Sequence, residues 1–161
     1  GMYPISCCVV NERAGAWLKQ DGFAHMSTAG GAELGCVVAL KVLEITQRPE
    51  VASMVRYIGD FARAGLDEIQ ALYPDFFIGI RQNGVILGLE FNHPEGAKLV
   101  MRRIYENGVW AIFSTLDPSV LQFKLGILMT QGLTEDLLRR METSIGQARQ
   151  DMLEMRGRKV S

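Results

Sequence analysis

The order of apolar and polar residues predicts two long helices in the first half of the chain. Between residues 49 and 72, apolar positions recur every three or four residues, which is the strongest periodic signal in the sequence and the period of an amphipathic helix. Residues 32–47 form a second predicted helix, and Pro49 follows its end, where proline commonly stands. This helix is so apolar that more than one of its faces must be covered.

The segment before these helices predicts shorter elements. Residues 3–10 are apolar and end at polar Asn11, a pattern typical of a buried strand. A brief helix is predicted over residues 12–19. Residues 23–31 are poor in charge and rich in small side chains, so we expect a loop that permits close approach of its backbone.

After residue 73, short apolar runs separated by turn residues predict strands. Asn83-Gly84 is a hairpin signature, and Gly108 marks a helix end. In order, the predicted elements are a strand at 76–81, a strand at 85–91, a helix at 94–107, a strand at 109–113, a strand at 120–125 and a helix at 134–155. From residue 49 onward, the order α-β-β-α-β-β-α predicts an α+β domain with helices on one face of a mainly antiparallel sheet.

Composition and charge exclude several classes of protein. The chain has 161 residues, of which 48% are hydrophobic and 22% charged, so a packed core is expected and intrinsic disorder is excluded. Its 17 Lys and Arg nearly balance 18 Asp and Glu, for a net charge of −1. Such a chain has no global field to hold nucleic acid or an anionic membrane, and no apolar run reaches the ~18 residues of a membrane span. We therefore expect neither nucleic acid nor a membrane as a partner.

The three cysteines, Cys7, Cys8 and Cys36, are too few for a disulfide framework. No cluster of Cys and His has the spacing of metal ligands, so no metal site is predicted. Unpaired cysteines favour a reducing compartment, and we expect a cytoplasmic location.

Candidate chemistry is concentrated in one loop. His25 and His93 lie singly in predicted loops, and the chain has no G-x-S-x-G motif, so no hydrolase site is predicted. Ser27-Thr28-Ala29-Gly30-Gly31, by contrast, leads directly into the predicted helix at 32–47. Hydroxyls and glycines at a helix N-terminus suit a bound anion such as a phosphate. They also suit an ordinary Ser or Thr helix cap, and the residues alone leave both interpretations open.

Five stretches, in order and spread over nearly the whole chain, match motifs of a known family. They are Tyr3-Pro4-Ile5-Ser6, His25-Met26-Ser27-Thr28-Ala29-Gly30-Gly31-Ala32-Glu33-Leu34-Gly35-Cys36, Ala39-Leu40-Lys41-Val42-Leu43-Glu44, Gly84-Val85-Ile86-Leu87-Gly88-Leu89-Glu90 and Glu106-Asn107-Gly108-Val109. Together they resemble the class III pyridoxal-phosphate aminotransferases, the family of the ornithine, acetylornithine and 4-aminobutyrate aminotransferases. The resemblance covers only the C-terminal part of a family member.

The resemblance implies a division of the chain and a cofactor contact. Residues 1–48 would be a remnant of the large cofactor-binding domain, with a strand, a loop and a long helix. Residues 49–161 would be the small C-terminal α+β domain of a fold-type I aminotransferase. By resemblance, Thr28, with Ser27 as a helper, contacts the phosphate of the pyridoxal 5′-phosphate held by the partner subunit. A homo-oligomer, expected to be a dimer, or an N-terminal fragment is therefore the expected partner.

Two departures from the family pattern bear on activity. The family's Schiff-base lysine lies upstream of the matched stretches, and neither Lys19 nor Lys41 replaces it. We therefore expect no catalytic residue in this chain, weak or no cofactor binding and no activity by the chain alone. Gln122 stands where the family has the arginine that binds the substrate carboxylate. The Gln side chain cannot make the two charge-assisted hydrogen bonds that an Arg guanidinium makes to a carboxylate. This substitution therefore argues against an α-amino acid as the substrate.

Two other functions remain open from the sequence. In the first, the chain is a free-standing α+β module that binds a small ligand or regulates a partner. In the second, it is a non-catalytic scaffold that dimerises. A reading frame upstream that encodes the lysine would favour an aminotransferase fragment over both.

Overall fold

The computed structural model describes residues 3–158, which fold into two compact units. The N-terminal unit is Gly1–Pro49, and the C-terminal unit is Glu50–Ser161. Of the helices that these described residues form, none combines the length and the apolar character needed to cross a membrane.

Two helices make up the regular part of the N-terminal unit. α1 spans Ala16–Gln20 and α2 spans Glu33–Thr46. α2 confirms the helix predicted at 32–47. α1 overlaps only the end of the helix predicted at 12–19, because the residues before it form a turn in which the Gly15 N–H donates to the Asn11 carbonyl at 2.9 Å.

The buried strand predicted at residues 3–10 is wrong. Residues 4–10 are exposed and irregular, since a strand needs a hydrogen-bonded neighbour and the described part of this unit contains no other strand. The segment instead contacts α2 at the buried Gly35, where an added Cβ would lie 2.9 Å from the Tyr3 ring and 3.2 Å from Ile5 Cδ1. The missing side chain of Gly35 therefore lets the segment lie close against the helix.

The C-terminal unit has the element order predicted from the sequence. Its elements are α3 Pro49–Leu72, whose first residue closes the N-terminal unit, β1 Phe77–Asn83, β2 Ile86–Phe91, α4 Gly96–Glu106, β3 Ile112–Phe113, β4 Val120–Lys124 and α5 Gln131–Arg158. The four strands form one sheet in the order β1-β2-β4-β3, and each neighbouring pair is antiparallel. The predicted α+β class and antiparallel sheet are confirmed.

α3 matches the helix predicted at residues 49–72, and both of its ends have a local cause. Pro49 suits the first helical position, since its φ is already helical and an N–H there would lack a helical partner. Pro74 disfavours helical backbone at the residue before it, so the helix ends at Leu72. Its buried face holds Ile58, Ala62, Leu66 and Ile69.

The β1–β2 hairpin turns one residue later than predicted. Asn83 is still paired with Ile86, so the connection consists of Gly84 and Val85. Gly84 has φ +59°, and among the described residues only glycines adopt a positive φ. Asn83 therefore remains in the strand, and the glycine alone provides the unusual backbone conformation.

The helices cover one face of the sheet, as predicted. Leu87 and Leu89 of β2 and Leu121 of β4 are buried on that face. The buried residues that α4 and α5 add to the same core are Ala97, Val100, Ile104, Met141, Ile145, Ala148 and Met152. Because side chains alternate between the faces of a strand, Gly88 and Gln122 lie on the opposite, open face.

β3 is shorter than the strand predicted at 109–113, because the start of that segment completes α4 instead. Gly108 has φ +77°, the conformation that commonly ends a helix. The Val109 N–H then donates to the Ile104 carbonyl at 2.8 Å and is not available to the sheet. Only Ile112 and Phe113 pair with β4.

α5 begins three residues before the predicted start at Thr134. Thr130 Oγ1 accepts the Leu133 N–H at 3.3 Å, which is the contact of a helix cap. Thr134 is buried inside the first turn, and its hydroxyl donates to the Thr130 carbonyl at 2.9 Å. The capping residue is therefore Thr130.

A bidentate ion pair joins α4 to α5. Arg103 Nε lies 2.7 Å from Asp151 Oδ2, and Arg103 Nη2 lies 2.6 Å from Asp151 Oδ1. These hydrogen bonds from the guanidinium lower the pKa of the Asp151 carboxyl. A lowered carboxyl pKa means that the pair stabilises the fold above the unfolded-state pKa and loses that contribution as the pH falls through the folded-state value.

Candidate functional site

The loop of residues 27–31 forms an exposed pair of turns directly before α2. The Gly30 N–H donates to the Ser27 carbonyl at 3.1 Å, and the Ala32 N–H donates to the Ala29 carbonyl at 3.1 Å. Gly31, between these turns, has φ +70°, a conformation that favours glycine. The loop thereby places its residues beside the N-terminus of α2, as the sequence predicts.

α2 begins without a side-chain cap. Its N-cap residue is Ala32, and no side chain of the described chain accepts a capping hydrogen bond there. The alternative interpretation of Ser27 and Thr28 as an ordinary helix cap is therefore wrong. The N–H groups of the first turn and the positive end of the helix dipole remain for another acceptor.

The two hydroxyls of the loop fit a phosphate group. Ser27 and Thr28 are exposed, and within residues 3–158 neither hydroxyl has a hydrogen-bond partner. Gly30 and Gly31 add no side chain that would block an approaching anion. Hydroxyls, backbone N–H groups and a helix N-terminus are the donors that phosphate sites use. The loop therefore has the donors for one side of a phosphate.

Gln122, the second residue that the resemblance places in a site, lies in the middle of β4. It pairs with Gly88 of β2 on one side and with Ile112 of β3 on the other. Its side chain is half-buried on the open face of the sheet, and in the described chain its amide has no hydrogen-bond partner. Gln122 belongs to the C-terminal unit and the loop of residues 27–31 to the N-terminal unit.

The sequence analysis missed Arg81. This arginine lies on β1, on the same open face as Gln122, and its Nη2 donates to Glu90 Oε2 at 2.8 Å. It also contributes to the lowered pKa of Asp117, although the larger causes are hydrogen bonds from the hydroxyl and backbone N–H of Ser119. Local sequence patterns do not mark Arg81, because the register that sets it opposite Gly88 is seen only in the folded sheet.

Every lysine that the structure describes lies at the surface. Lys19, Lys41 and Lys98 form ion pairs at 3.0, 2.8 and 2.7 Å with Glu12, Glu44 and Glu95, in that order. Lys124 is exposed at the end of β4. Lys159 lies outside the described residues. The described lysines are thus in contact with solvent, whereas a lysine nucleophile is usually desolvated.

The two histidines lie in a loop and in a turn, at separate places in the chain. His25 is exposed in the loop before Ser27, and His93 Nδ1 accepts the Glu95 N–H at 3.1 Å in a turn. Among the described residues, no three His, Cys, Asp or Glu side chains are grouped in a way that could hold a metal ion.

Comparison with known proteins finds one matching family model and several similar proteins. The family model described as Aminotransferase class-III matches residues 1–145. An uncharacterized aminotransferase from Archaeoglobus fulgidus is 39% identical over 123 residues, which are 76% of this chain and 29% of that protein. The mitochondrial ornithine aminotransferase of Drosophila melanogaster is 33% identical over 111 residues, 69% of this chain and 25% of that protein.

The fold also matches solved structures. A transaminase from the marine bacterium Virgibacillus superposes with a TM-score of 0.74 at 18% identity, over 89% of this chain and 35% of that one. At this identity the likeness concerns the fold, and it confirms the predicted small-domain architecture. The chain spans between 25% and 35% of the length of these three proteins.

Proposed function

Because the chain belongs to the class III aminotransferases, we propose that it supplies the small domain and one phosphate-binding loop of a pyridoxal-phosphate-dependent aminotransferase. The complete enzyme would transfer an amino group from an amine or amino acid to a 2-oxo acid or aldehyde. When bound, the cofactor supplies the electron sink for this chemistry. The observation that carries the proposal is the exposed loop of residues 27–31, whose hydroxyls and helix N-terminus have no acceptor in the described chain.

Thr28 and Ser27 would hold the cofactor phosphate from one side. Their exposure supports a contact with a cofactor that is bound by another subunit, because a phosphate held within the unit would be lined by side chains from several of its elements. Hydrogen bonds to the charged phosphate would fix its position and so orient the cofactor ring. Gly31, with its positive φ, would form the turn that brings these donors together.

We further propose that the lysine that bonds the cofactor is not one of the described residues. The support is the surface position of Lys19, Lys41, Lys98 and Lys124. Amino transfer would then need another polypeptide that supplies this lysine. The chain alone would be inactive. A cytoplasmic setting is part of the same proposal, and the free state of all three cysteines is consistent with it.

A chimera tests the proposal directly. Residues 3–158 would replace the matching segment of the Archaeoglobus fulgidus relative, and cofactor binding and amino transfer would be measured. We expect an active chimera, and we expect Thr28→Val to weaken cofactor binding by roughly tenfold or more, because a hydrogen bond to a charged group contributes about 1.5–3 kcal/mol.

Thr115→Val is the matched control, because Thr115 is also exposed and has no hydrogen-bond partner in the described chain. It should leave cofactor affinity unchanged. An equal loss of cofactor affinity in both variants would contradict the proposed phosphate contact of the loop. A folded chimera that binds the cofactor but transfers no amino group would instead favour a non-catalytic scaffold.

A further inference from the structure

The helices α3 and α5 lie side by side in the C-terminal unit and run in the same direction. Near their starts, the Tyr57 hydroxyl donates to Gln131 Oε1 at 2.8 Å. At the next contact, a Cβ on Gly65 would lie 2.5 Å from Leu138 Cδ1, so Leu138 fills the space that the missing side chain leaves. Both partners are further along their helices at the second contact, which is why the helices are parallel.

On their solvent side the two helices border an open groove of about 500 Å³, called here the α3–α5 groove. Its floor consists of apolar residues and one glycine, namely Phe61, Ala64, Gly65, Ile69, Leu72 and Leu138. Leu72 is 58% exposed, and Phe61 and Leu138 are half-buried. From Phe61 to Leu72 the floor follows about three helical turns, or roughly 16 Å. The groove is therefore long enough to hold a short helix.

Three carboxylates form the rim of the α3–α5 groove. Glu68 stands on α3, and Glu135 and Glu142 stand on α5; all three are exposed. Glu135 Oε1 accepts a hydrogen bond from Gln131 Nε2 at 2.8 Å. Within residues 3–158, none of the three has an ion-pair partner, and Glu68 and Glu142 also have no hydrogen-bond partner. The rim therefore offers three carboxylates to a cationic partner.

The charged side chains next to the rim do not cancel these carboxylates. Arg139 also lines the groove, and its guanidinium pairs with Asp136, to which Arg140 Nε donates at 2.7 Å. On α3, Arg63 and Asp67 pair with each other at 2.8 Å and cancel. Counting all of these with the three glutamates leaves two negative charges unbalanced. The groove thus favours a cationic partner over an anionic one.

The positions of the three glutamates indicate the shape of that partner. Glu135 and Glu142 are seven residues apart, which is about two turns, so they lie on one side of α5 and roughly 10 Å apart along its axis. Glu68 stands on the opposite wall. A helix with an apolar stripe for the floor and basic residues on both flanks would match the floor and the rim together. Two copies of this groove would instead bring like charges together.

We propose that the α3–α5 groove docks a basic amphipathic helix of a partner protein. Apolar side chains at helical spacing would cover Phe61, Leu72 and Leu138. Two lysines or arginines about two turns apart on one flank would pair with Glu135 and Glu142, and a third on the other flank would pair with Glu68. The docking needs neither the cofactor nor the loop of residues 27–31, so it is independent of the proposed function.

Binding of a synthetic peptide to the full chain tests the groove. The probe is a helical peptide of about 14 residues, with leucines at a spacing of three and four and lysines on both flanks. One control peptide has glutamate in place of every lysine, and another has the same composition in an order without an apolar face. The isotope-labelled chain would be titrated and followed by the amide signals of Ala64 and Leu138. We expect saturable shifts with the lysine peptide, weaker binding at higher salt, and no shifts with either control.

A double variant examines the charge of the rim. Glu135→Gln together with Glu142→Gln should weaken binding of the lysine peptide by roughly tenfold, since two ion pairs with the peptide are lost. Glu50→Gln together with Glu154→Gln is the matched control, because these exposed glutamates lie on α3 and α5 outside the groove. The control has the same net charge as the double variant and should leave the affinity unchanged.

A single variant examines the floor. Ala64 is exposed in the groove, one turn before Glu68. Ala64→Arg would place a bulky cation beside Glu68, and it should abolish the shifts of Leu138 while the signals of residues outside the groove stay unchanged. Ala71→Arg is the matched control, because Ala71 is an exposed alanine of α3 that does not line the groove.

Several outcomes would contradict the docking of a basic helix. Equal binding of the glutamate peptide or of the reordered peptide would show that charge and apolar face are not read together. An equal loss of affinity in Glu50→Gln with Glu154→Gln, or full binding by Ala64→Arg, would place the peptide elsewhere. Self-association that Ala64→Arg abolishes, in a chain that does not bind the lysine peptide, would assign the groove to a second copy and overturn the proposal.

Discussion

The surroundings of the described lysine side chains bear on the proposal that none of them bonds the cofactor. Lys19, Lys41 and Lys98 each have a carboxylate partner within 3.0 Å, and Lys124 is exposed at a strand end. Reactive lysines are activated by desolvation or by a neighbouring cation in a pocket. The described lysines lack the burial that such activation requires, whereas the Thr28 hydroxyl is exposed and has no hydrogen-bond partner within the described chain.

From these surroundings we predict that none of the described lysines is a specific site of bonding to the cofactor. The purified chain would be mixed with pyridoxal 5′-phosphate, reduced with borohydride and examined by mass spectrometry. We expect scattered, substoichiometric labelling, and Lys124→Arg should change it little. A stoichiometric adduct at one lysine, or amino transfer above the background of the free cofactor, would contradict the prediction.

At the scale of elements, the C-terminal unit depends on the close approach of α4 to β2. Gly96, the first residue of α4, is buried, and a Cβ there would lie only 2.5 Å from Phe91 Cβ. Phe91 is itself 1% exposed and stacks on Phe77, with ring centroids 5.2 Å apart. Because these rings are fixed by the core around them, they cannot move away to admit another side chain.

We therefore predict that Gly96→Ala destabilises the unit by about 1–3 kcal/mol, the usual cost of overpacking. The measurement is the midpoint of urea unfolding with an unchanged slope. Gly132→Ala on α5 is the matched control, because a Cβ at Gly132 meets no atom within 4 Å. It should not destabilise the chain, since the added methyl group has room and alanine suits a helix at least as well as glycine. Equal behaviour of the two variants would refute the packing explanation.

At the scale of the whole molecule, α2 leaves apolar side chains uncovered. Leu34, Val37 and Leu40 lie three residues apart, and Leu40 is 67% exposed. The apolar pattern of this helix predicts cover on more than one face, and the segment at Gly35 provides only part of it. Exposed apolar side chains grouped on a helix favour an interface with another polypeptide. We propose a second copy of this chain as that partner.

The predicted outcome is self-association through α2. Sedimentation over a range of concentrations should show a species heavier than one chain, and Leu40→Glu should shift it toward the monomer because a charge at an apolar contact is costly to bury. Leu72→Glu is the matched control, since Leu72 is also exposed, at 58%, but lies at the end of α3. A strict monomer at every concentration would exclude the homo-oligomer.

Local sequence patterns were sufficient for most of the elements and for the family. The helices at 32–47 and 49–72, the element order α-β-β-α-β-β-α and the Ser-Thr-x-Gly-Gly loop were predictable, because helix periodicity, turn residues and motifs are properties of neighbouring residues. The same local information placed Thr28 beside a helix N-terminus and Gln122 on a strand. It did not reveal that α2 begins without a side-chain cap, with Ala32 as its N-cap residue.

Which distant residues share a surface depends on how the chain folds. Residues 3–10 have the composition of a strand, but a strand forms only where a neighbour supplies hydrogen bonds, and this segment contacts Gly35 on α2 instead. Arg81 and Gln122 are far apart in sequence, and their common row exists because strand register aligns both with Gly88. Register depends on core packing and turn geometry together, which is why the residues around Gln122 became known only from the folded chain.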